Sequence, residues 1–177
     1  MNKSILNTHS SNSISTSIDS YIYSGRRIVE KISEDDCVID IGCGNNQYKG
    51  LIKKLHGIDS VNKNADYLTT IENFKAPTKY DVAICFESIN YGDYDNISNQ
   101  IRILDEMLHP CASVFWRLNT TKYNYSEPNA DLFPWTFEIL NSFAKEYNFE
   151  QIHSCIDTNA VDIFLYAEWV RGFQPEI

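Results

Sequence analysis

An α/β domain folded as a three-layer αβα sandwich, its sheet mostly parallel and closed by an antiparallel C-terminal hairpin, is what three observations in the 177-residue sequence predict. Residues 36–61 run strand, glycine turn, helix, strand, the order whose right-handed crossover makes neighbouring strands parallel. The stretch "YDVAICFESI" (80–89) is a continuous apolar run of the kind buried on both faces. Near the C-terminus, "FEQIHSCI" and "VDIFLYAEWV" are separated only by "DTNA", too short for a crossover, so they pair as a hairpin.

Residues 1–16, "MNKSILNTHSSNSIST", are rich in Ser, Asn and Thr and lack the apolar surface to offset their ordering entropy. They are expected as a flexible tail, with 17–177 as one domain, a length that supports a single core. Between Ser17 and Ile32, Ile18, Ile22, Ile28, Val29 and Ile32 recur at helical spacing, interrupted by Gly25. "CVIDI" (37–41) is a short strand ended by Gly42, Cys43 and Gly44; "QYKGLIKKL" (47–55) then reads as helix despite Gly50, and "HGIDSV" (56–61) as the second strand. "ADYLTTI" (65–71) is a brief third strand and 80–89 the fourth. A helix over 95–108 places Ile97, Ile101, Leu104 and Leu108 on one face, with Pro110 just beyond its end. "ASVFWRL" (112–118) is the fifth strand and "FPWTFEILNSFAKEY" (133–147) the last helix, leading into the hairpin.

Composition narrows the function classes. A formal net charge of −9 and a pI near 4.8 set a repulsive field against a phosphate backbone, so nucleic acid is not an expected partner. Arg26 with Arg27, and Lys53 with Lys54, are isolated pairs that read as solvated faces. Cys37, Cys43, Cys85, Cys111 and Cys155 lie far apart, mostly in apolar runs, and are expected as buried free thiols in a reducing compartment. His9, His56, His109 and His153 supply no closely spaced ligand pair, so no metal site is expected. Without an apolar run approaching a membrane span or a signal peptide, the expectation is a soluble, cytoplasmic protein without a membrane partner.

In open α/β sheets a ligand lies outside the carboxyl ends of the strands, which places the candidate site at the turn Gly42 to Asn46. Glycine permits a tight turn and close approach of a ligand to the backbone. A dinucleotide fingerprint needs a third glycine where Gln47 stands and an apolar residue where Asp40 stands, so the turn fits a dinucleotide poorly.

With Asp40 two residues before Gly42 and Asp59 closing the next strand, "VIDIGCGNN" resembles the first motif of the class I, Rossmann-like S-adenosylmethionine-dependent methyltransferases. Asn46 stands where that motif has its last glycine, and asparagine tolerates a left-handed backbone better than most residues. The resemblance continues through "NADYLTTIENFKAPTKYDVAICFESINYG", which looks like the family's third-strand acid followed by its fourth strand, and through "EMLHPCASVFWRL", similar to the segment before the fifth. It covers about residues 17–170, the reversed strand of the hairpin included. One departure is large: only six residues separate Asp59 from Asp66, where the family usually has a whole helix.

The resemblance implies S-adenosylmethionine as cofactor, held by Asp40, Gly42, Cys43, Gly44, Asp59, Ser60, Asp66, Tyr67 and Phe86. In that scheme Asp40 lies near the cationic amino-acid end, Asp59 accepts the ribose hydroxyls, and Asp66 meets the adenine. No Asn/Asp-Pro-Pro-Tyr follows the fourth strand, which argues against methylation of DNA bases; the implied acceptor is a small molecule or a protein side chain. Tyr91, after strand four, and Asn119 and Tyr123, in the long loop 117–135, are the candidate substrate-facing residues, and no catalytic residue is assigned. In the same loop Tyr125, Phe133 and Trp135 could wall an aromatic pocket or anchor the loop, while Tyr21, Tyr23 and Arg26 could cap the cofactor or pack in the core. A non-catalytic module that keeps the fold as a binding or regulatory domain is the alternative.

Overall fold

A computed structural model of the chain describes residues 25–119, 132–158 and 163–172. Seven strands form one sheet in the order β3-β2-β1-β4-β5-β7-β6. They are β1 (Cys37–Ile41), β2 (Lys54–Asp59), β3 (Tyr67–Leu68), β4 (Tyr80–Phe86), β5 (Leu108–Asn119), β6 (Glu150–Thr158) and β7 (Ile163–Val170). Every pairing from β3 across to β5 is parallel, whereas β7 runs antiparallel to both β5 and β6. The predicted class therefore holds: a mostly parallel sheet closed by the hairpin. Because the chain leaves β1 toward β2 on one side and returns to β4 on the other, the switch point lies between the carboxyl ends of β1 and β4.

One face of the sheet is covered by two helices, α1 (Tyr94–Met107) and α2 (Phe137–Glu146). Asp93 caps α1 by accepting the Asn96 N–H while the Asn96 side chain accepts the Asp93 N–H, a reciprocal capping box. Its Ile97, Ile101 and Leu104 join Leu140 and Phe143 of α2 against Ile39, Ala83, Val114, Trp116 and Trp169 of the sheet. On the opposite face, Ile28 of a short 3-10 helix (Gly25–Lys31) packs with Tyr48, Ile52 and Leu55 on Val38, Ile84, Phe115 and Tyr166.

That second face corrects the sequence reading. The helix expected over 47–55 is absent: the connection after β1 is a chain of turns, closed by Asn46 N–H to Cys43 O (2.8 Å), Lys49 N–H to Asn46 O (3.0 Å) and Leu51 N–H to Tyr48 O (2.9 Å). Left-handed backbone at Asn46 (φ 55°) and Gly50 (φ 85°) prevents a continuous right-handed helix. The helical spacing of Tyr48, Ile52 and Leu55 nevertheless serves burial, since all three are at most 5% exposed. No helix lies in the short connection between β2 and β3, and β3 itself is only two residues long.

Boundaries shift for local reasons. The brief third strand contracts to two residues, the fourth ends at Phe86 before the left-handed Glu87 (φ 59°), and the last helix starts after Thr136, whose hydroxyl accepts the Ile139 N–H. Of the helix predicted over 17–32, the described part is the 3-10 helix alone; the predicted tail and residues 17–24 lie outside the described residues. All five cysteines are free, but only Cys43 and Cys85 are buried and Cys111 is exposed, so burial of the thiols holds in part. No helix among the described residues is long and apolar enough to cross a membrane.

Candidate functional site

The carboxyl ends of β1, β2 and β4 open onto a cleft of about 450 Å³. Ile41 and Gly42 enter it from β1, Ile58 to Val61 from β2, and Glu87 to Ile89 with Tyr91 from beyond β4. Thr69 to Glu72, between β3 and β4, close its far side, with Gln100 of α1 behind them.

Gly42 is required where β1 meets the segment after β4. Its φ is +67°, and a Cβ there would stand 2.5 Å from the Ser88 Cβ. The two segments could not approach so closely around any larger residue. Gly44 (φ +52°) has open space around it, so conformation alone favours glycine there. Asn46 completes the alternation of left-handed residues at φ 55°, the conformation for which asparagine was expected to stand in for glycine. Left-handed backbone costs a non-glycine residue on the order of 1–2 kcal/mol. Offsetting that, the Asn46 amide donates to Asn64 O (3.0 Å) and Asp66 Oδ2 (3.4 Å).

The two acids that bracket the turn are in opposite electrostatic states. Burial pushes the Asp59 carboxyl upward, but N–H groups of Val61 (2.9 Å) and Asn62 (2.8 Å) at Oδ1 and of Gly44 (3.0 Å) at Oδ2 outweigh it and hold it below its ordinary value. Asp59 is therefore a fixed negative charge on the cleft wall, with one lone-pair site left after its three N–H bonds. Asp40 is 3% exposed, in register with Gly57 of β2 and Ile84 of β4. Burial first, and the Asp59 charge second, raise it to about 8.

Of the residues singled out from the sequence, Gly42, Asp59, Ser60 and Tyr91 line the cleft. Cys43 and Gly44 form the back of its turn: the Cys43 N–H donates to Ile58 O (3.0 Å), and burial pushes its thiol up to about 12. Asp40 sits beside the turn at the end of β1. Three others go elsewhere. Asp66 and Tyr67 border a different cleft, of about 650 Å³, at the sheet edge. Phe86 lies on the opposite sheet face, edge-on to Tyr48 and Tyr166. Asn119 ends β5 with its N–H directed at Asn90 Oδ1 (3.3 Å), and Tyr91 is 48% exposed at the cleft rim. Tyr123 and Tyr125, like Tyr21 and Tyr23, lie outside the described residues, and so does the Arg26 side chain. Phe133 and Trp135 are loop anchors rather than pocket walls: both are buried in the core, and the Trp135 indole donates to Ile89 O (3.0 Å).

Sequence reasoning missed Glu72 and Ser88. Burial raises the Glu72 carboxyl, but its own backbone N–H, Thr70 and the Gln100 amide (2.8 Å) together hold it low, a second ionised acid on the cleft wall. The Ser88 hydroxyl is buried on that wall with no hydrogen-bond partner among the described residues. A Thr-x-Glu turn signal at Thr70 was available, but nothing local says that it faces the cleft.

No protein-family model and no curated protein sequence matches the chain. Solved structures do. A magnesium protoporphyrin IX methyltransferase from Synechocystis PCC 6803 with bound S-adenosylmethionine is similar at a TM-score of 0.66 and 13% identity, over 94% of this chain and 87% of that one. A 1,6-didemethyltoxoflavin-N1-methyltransferase from Burkholderia thailandensis, bound to 1,6-didemethyltoxoflavin and S-adenosylhomocysteine, aligns at 0.64 and 11%, covering 98% and 94%. A methyltransferase from Methanosarcina mazei, likewise S-adenosylmethionine-dependent, aligns at 0.65 and 14%, covering 85% and 99%. The chain has the fold of the class I S-adenosylmethionine-dependent methyltransferases.

Proposed function

We propose that the protein is an S-adenosylmethionine-dependent methyltransferase acting on a small molecule or a protein side chain. The observation that carries this reading is the cleft at the switch point, where Gly42 is pressed against Ser88 and Asp59 is held ionised by the Gly44, Val61 and Asn62 N–H groups. The residues present fit the cofactor. Asp59 keeps one lone-pair site, on Oδ2, for a ribose hydroxyl, the orphaned Ser88 hydroxyl needs a polar partner, and the raised carboxyl of Asp40 gains from a nearby cation. Glu72 and Thr70 replace Asp66 and Tyr67 as the polar groups for the base, because they are the ones on the cleft wall.

When bound, S-adenosylmethionine supplies an electrophilic methyl group on a sulfonium whose leaving group departs neutral. What the chain contributes is placement: strand ends and the glycine turn fix the nucleoside, and Tyr91 at the rim faces the acceptor. The small-molecule acceptors named for two of the similar structures support an acceptor of that size. Titration calorimetry with S-adenosylmethionine and S-adenosylhomocysteine is the test, and absence of heat for the native protein in several buffers would sink the reading. The alternative, a non-catalytic binding module, is favoured by the loss of the helix after the glycine turn, which removes a set of free N–H donors. Binding without turnover across a panel of methyl acceptors would select it.

A further inference from the structure

The acid expected at the base, Asp66, has another task. β3 pairs with β2 only at Ile58 and Asp59, so the stretch of β2 before them has no strand neighbour on that side among the described residues. Side chains take the ladder's place. The Gly57 N–H donates to Asp66 Oδ2 (2.9 Å), the Lys49 ammonium donates to Leu55 O (3.2 Å), and Lys49 and Asp66 bridge each other at 2.6 Å. An ion pair thereby closes an open strand edge, an exposure that folds otherwise manage with bulges, prolines or covering elements.

The same carboxylate reaches the glycine turn. Asp66 Oδ2 accepts from the Asn46 amide, which also donates to Asn64 O. Asn46 and Cys43 in turn rest on Gly57, where a Cβ would come within 2.8 Å of Asn46 Oδ1 and 2.9 Å of Cys43 Sγ. A helix after the turn would hold its own backbone through repeated internal bonds. The turns over 44–53 have no such ladder, so their position depends on attachments to β2 and to the β2–β3 connection. Cys43 N–H to Ile58 O, Gly44 N–H to Asp59 and the Asn46–Lys49–Asp66 clasp are those attachments.

We propose that Asp66 is a positioning residue for the nucleoside site, acting through Asn46, Lys49 and the Gly57 N–H to seat the non-helical crossover, and with it Gly42 and Gly44, against β2. This rests on the cofactor reading above. It also explains how a chain without the third glycine and without the first crossover helix keeps the turn: the asparagine supplies a handle that glycine lacks, and Asp66 holds the handle.

The test is a double-mutant cycle read by S-adenosylhomocysteine affinity and by backbone hydrogen exchange. Asp66→Asn keeps the shape but loses the charge; it should weaken binding roughly five- to twenty-fold and speed exchange at Gly57 and across 43–53. In an Asn46→Gly background, where glycine adopts the left-handed turn unaided, the same substitution should cost at most about half as many fold. Lys49→Gln, at a half-exposed position, removes one arm of the clasp and should shift both readouts the same way by less, which keeps the test alive if Asp66→Asn folds poorly. A native-like affinity for Asp66→Asn in a native protein that binds, or equal losses in the two backgrounds, overturns the inference. A native protein that binds nothing overturns the cofactor reading instead, and there the exchange rates still decide the clasp: unchanged rates at Gly57 refute it.

Discussion

Replacing Gly42 by alanine separates two physical costs that a glycine motif normally confounds. The backbone at Gly42 is left-handed (φ +67°), which costs an alanine about 1–2 kcal/mol. A Cβ at that position would also stand 2.5 Å from the Ser88 Cβ and 3.4 Å from its Cα, and overpacking of this kind costs roughly a further 1–3 kcal/mol. The sum, about 2–5 kcal/mol, corresponds to a fall in melting temperature of roughly 4–20 °C for a domain of this size. Gly44→Ala is the internal control: its φ of +52° carries the same conformational cost, but nothing lies within 4 Å of its Cβ. Thermal and urea unfolding of the two single variants should place Gly42→Ala below Gly44→Ala by the packing share alone. Adding Ser88→Gly to Gly42→Ala removes the opposing carbon and should recover that share. If Gly44→Ala proves as destabilising as Gly42→Ala, or if Ser88→Gly recovers nothing, then β1 and β4 do not meet where the cleft requires.

Two further outcomes follow from the bracketing acids. Asp59→Asn removes a charged acceptor from three backbone N–H groups and, under the proposed function, from the ribose, and should then weaken S-adenosylhomocysteine binding by about 1.5–3 kcal/mol, or roughly 10- to 150-fold in calorimetry. Asp40 is raised in the folded state, so the folded protein binds more protons than the unfolded chain from the ordinary carboxylate range up to about pH 8, and stability falls as pH rises through that window. Asp40→Asn should therefore melt above the native protein at pH 8, with the difference closing toward pH 4; a difference that stayed constant with pH would contradict the burial of an ionisable group there.

How much of this was legible in the sequence depends on which force placed each residue. Gly42, Asp59, Ser60 and Tyr91 were found because strand ends and turns are local, and the switch-point rule then gathers them at one edge. The helix that spacing predicts over 47–55 does not form, because the spacing of Tyr48, Ile52 and Leu55 reports which side chains need burial, not which backbone buries them. Left-handed Asn46 and Gly50 met the same need with turns. The resemblance implies an adenine contact for Asp66, yet a third strand of only two residues leaves it at the edge of β2. Glu72 and Ser88 reach the cleft through the β3–β4 connection and the sharp exit from β4, placements set by tertiary packing and invisible to periodicity. Phe133 and Trp135 show the converse: aromatic residues in a loop suggested a pocket, but the core between α1, α2 and β5 had room for them.

The charge state of the turn bears on which nucleosides it can accept. In a dinucleotide site the N–H groups of the glycine turn point at a pyrophosphate. Here the Gly44 N–H is already committed to Asp59 Oδ2, so a phosphate approaching the turn would meet a carboxylate held ionised by three N–H bonds. Asp40 adds a conditional charge: burial and Asp59 keep it largely protonated near neutral pH, and only a cation brought close would make its ionised form the favoured one. A neutral hydroxyl gains from Asp59 on the cleft wall, a cation would gain from Asp40 only if seated beside the turn, and a polyphosphate gains from neither. The pair Asp40 and Asp59 is thus compatible with the proposed sulfonium nucleoside and opposed to a dinucleotide, and the opposition runs through the same Gly44 N–H that a dinucleotide would have required.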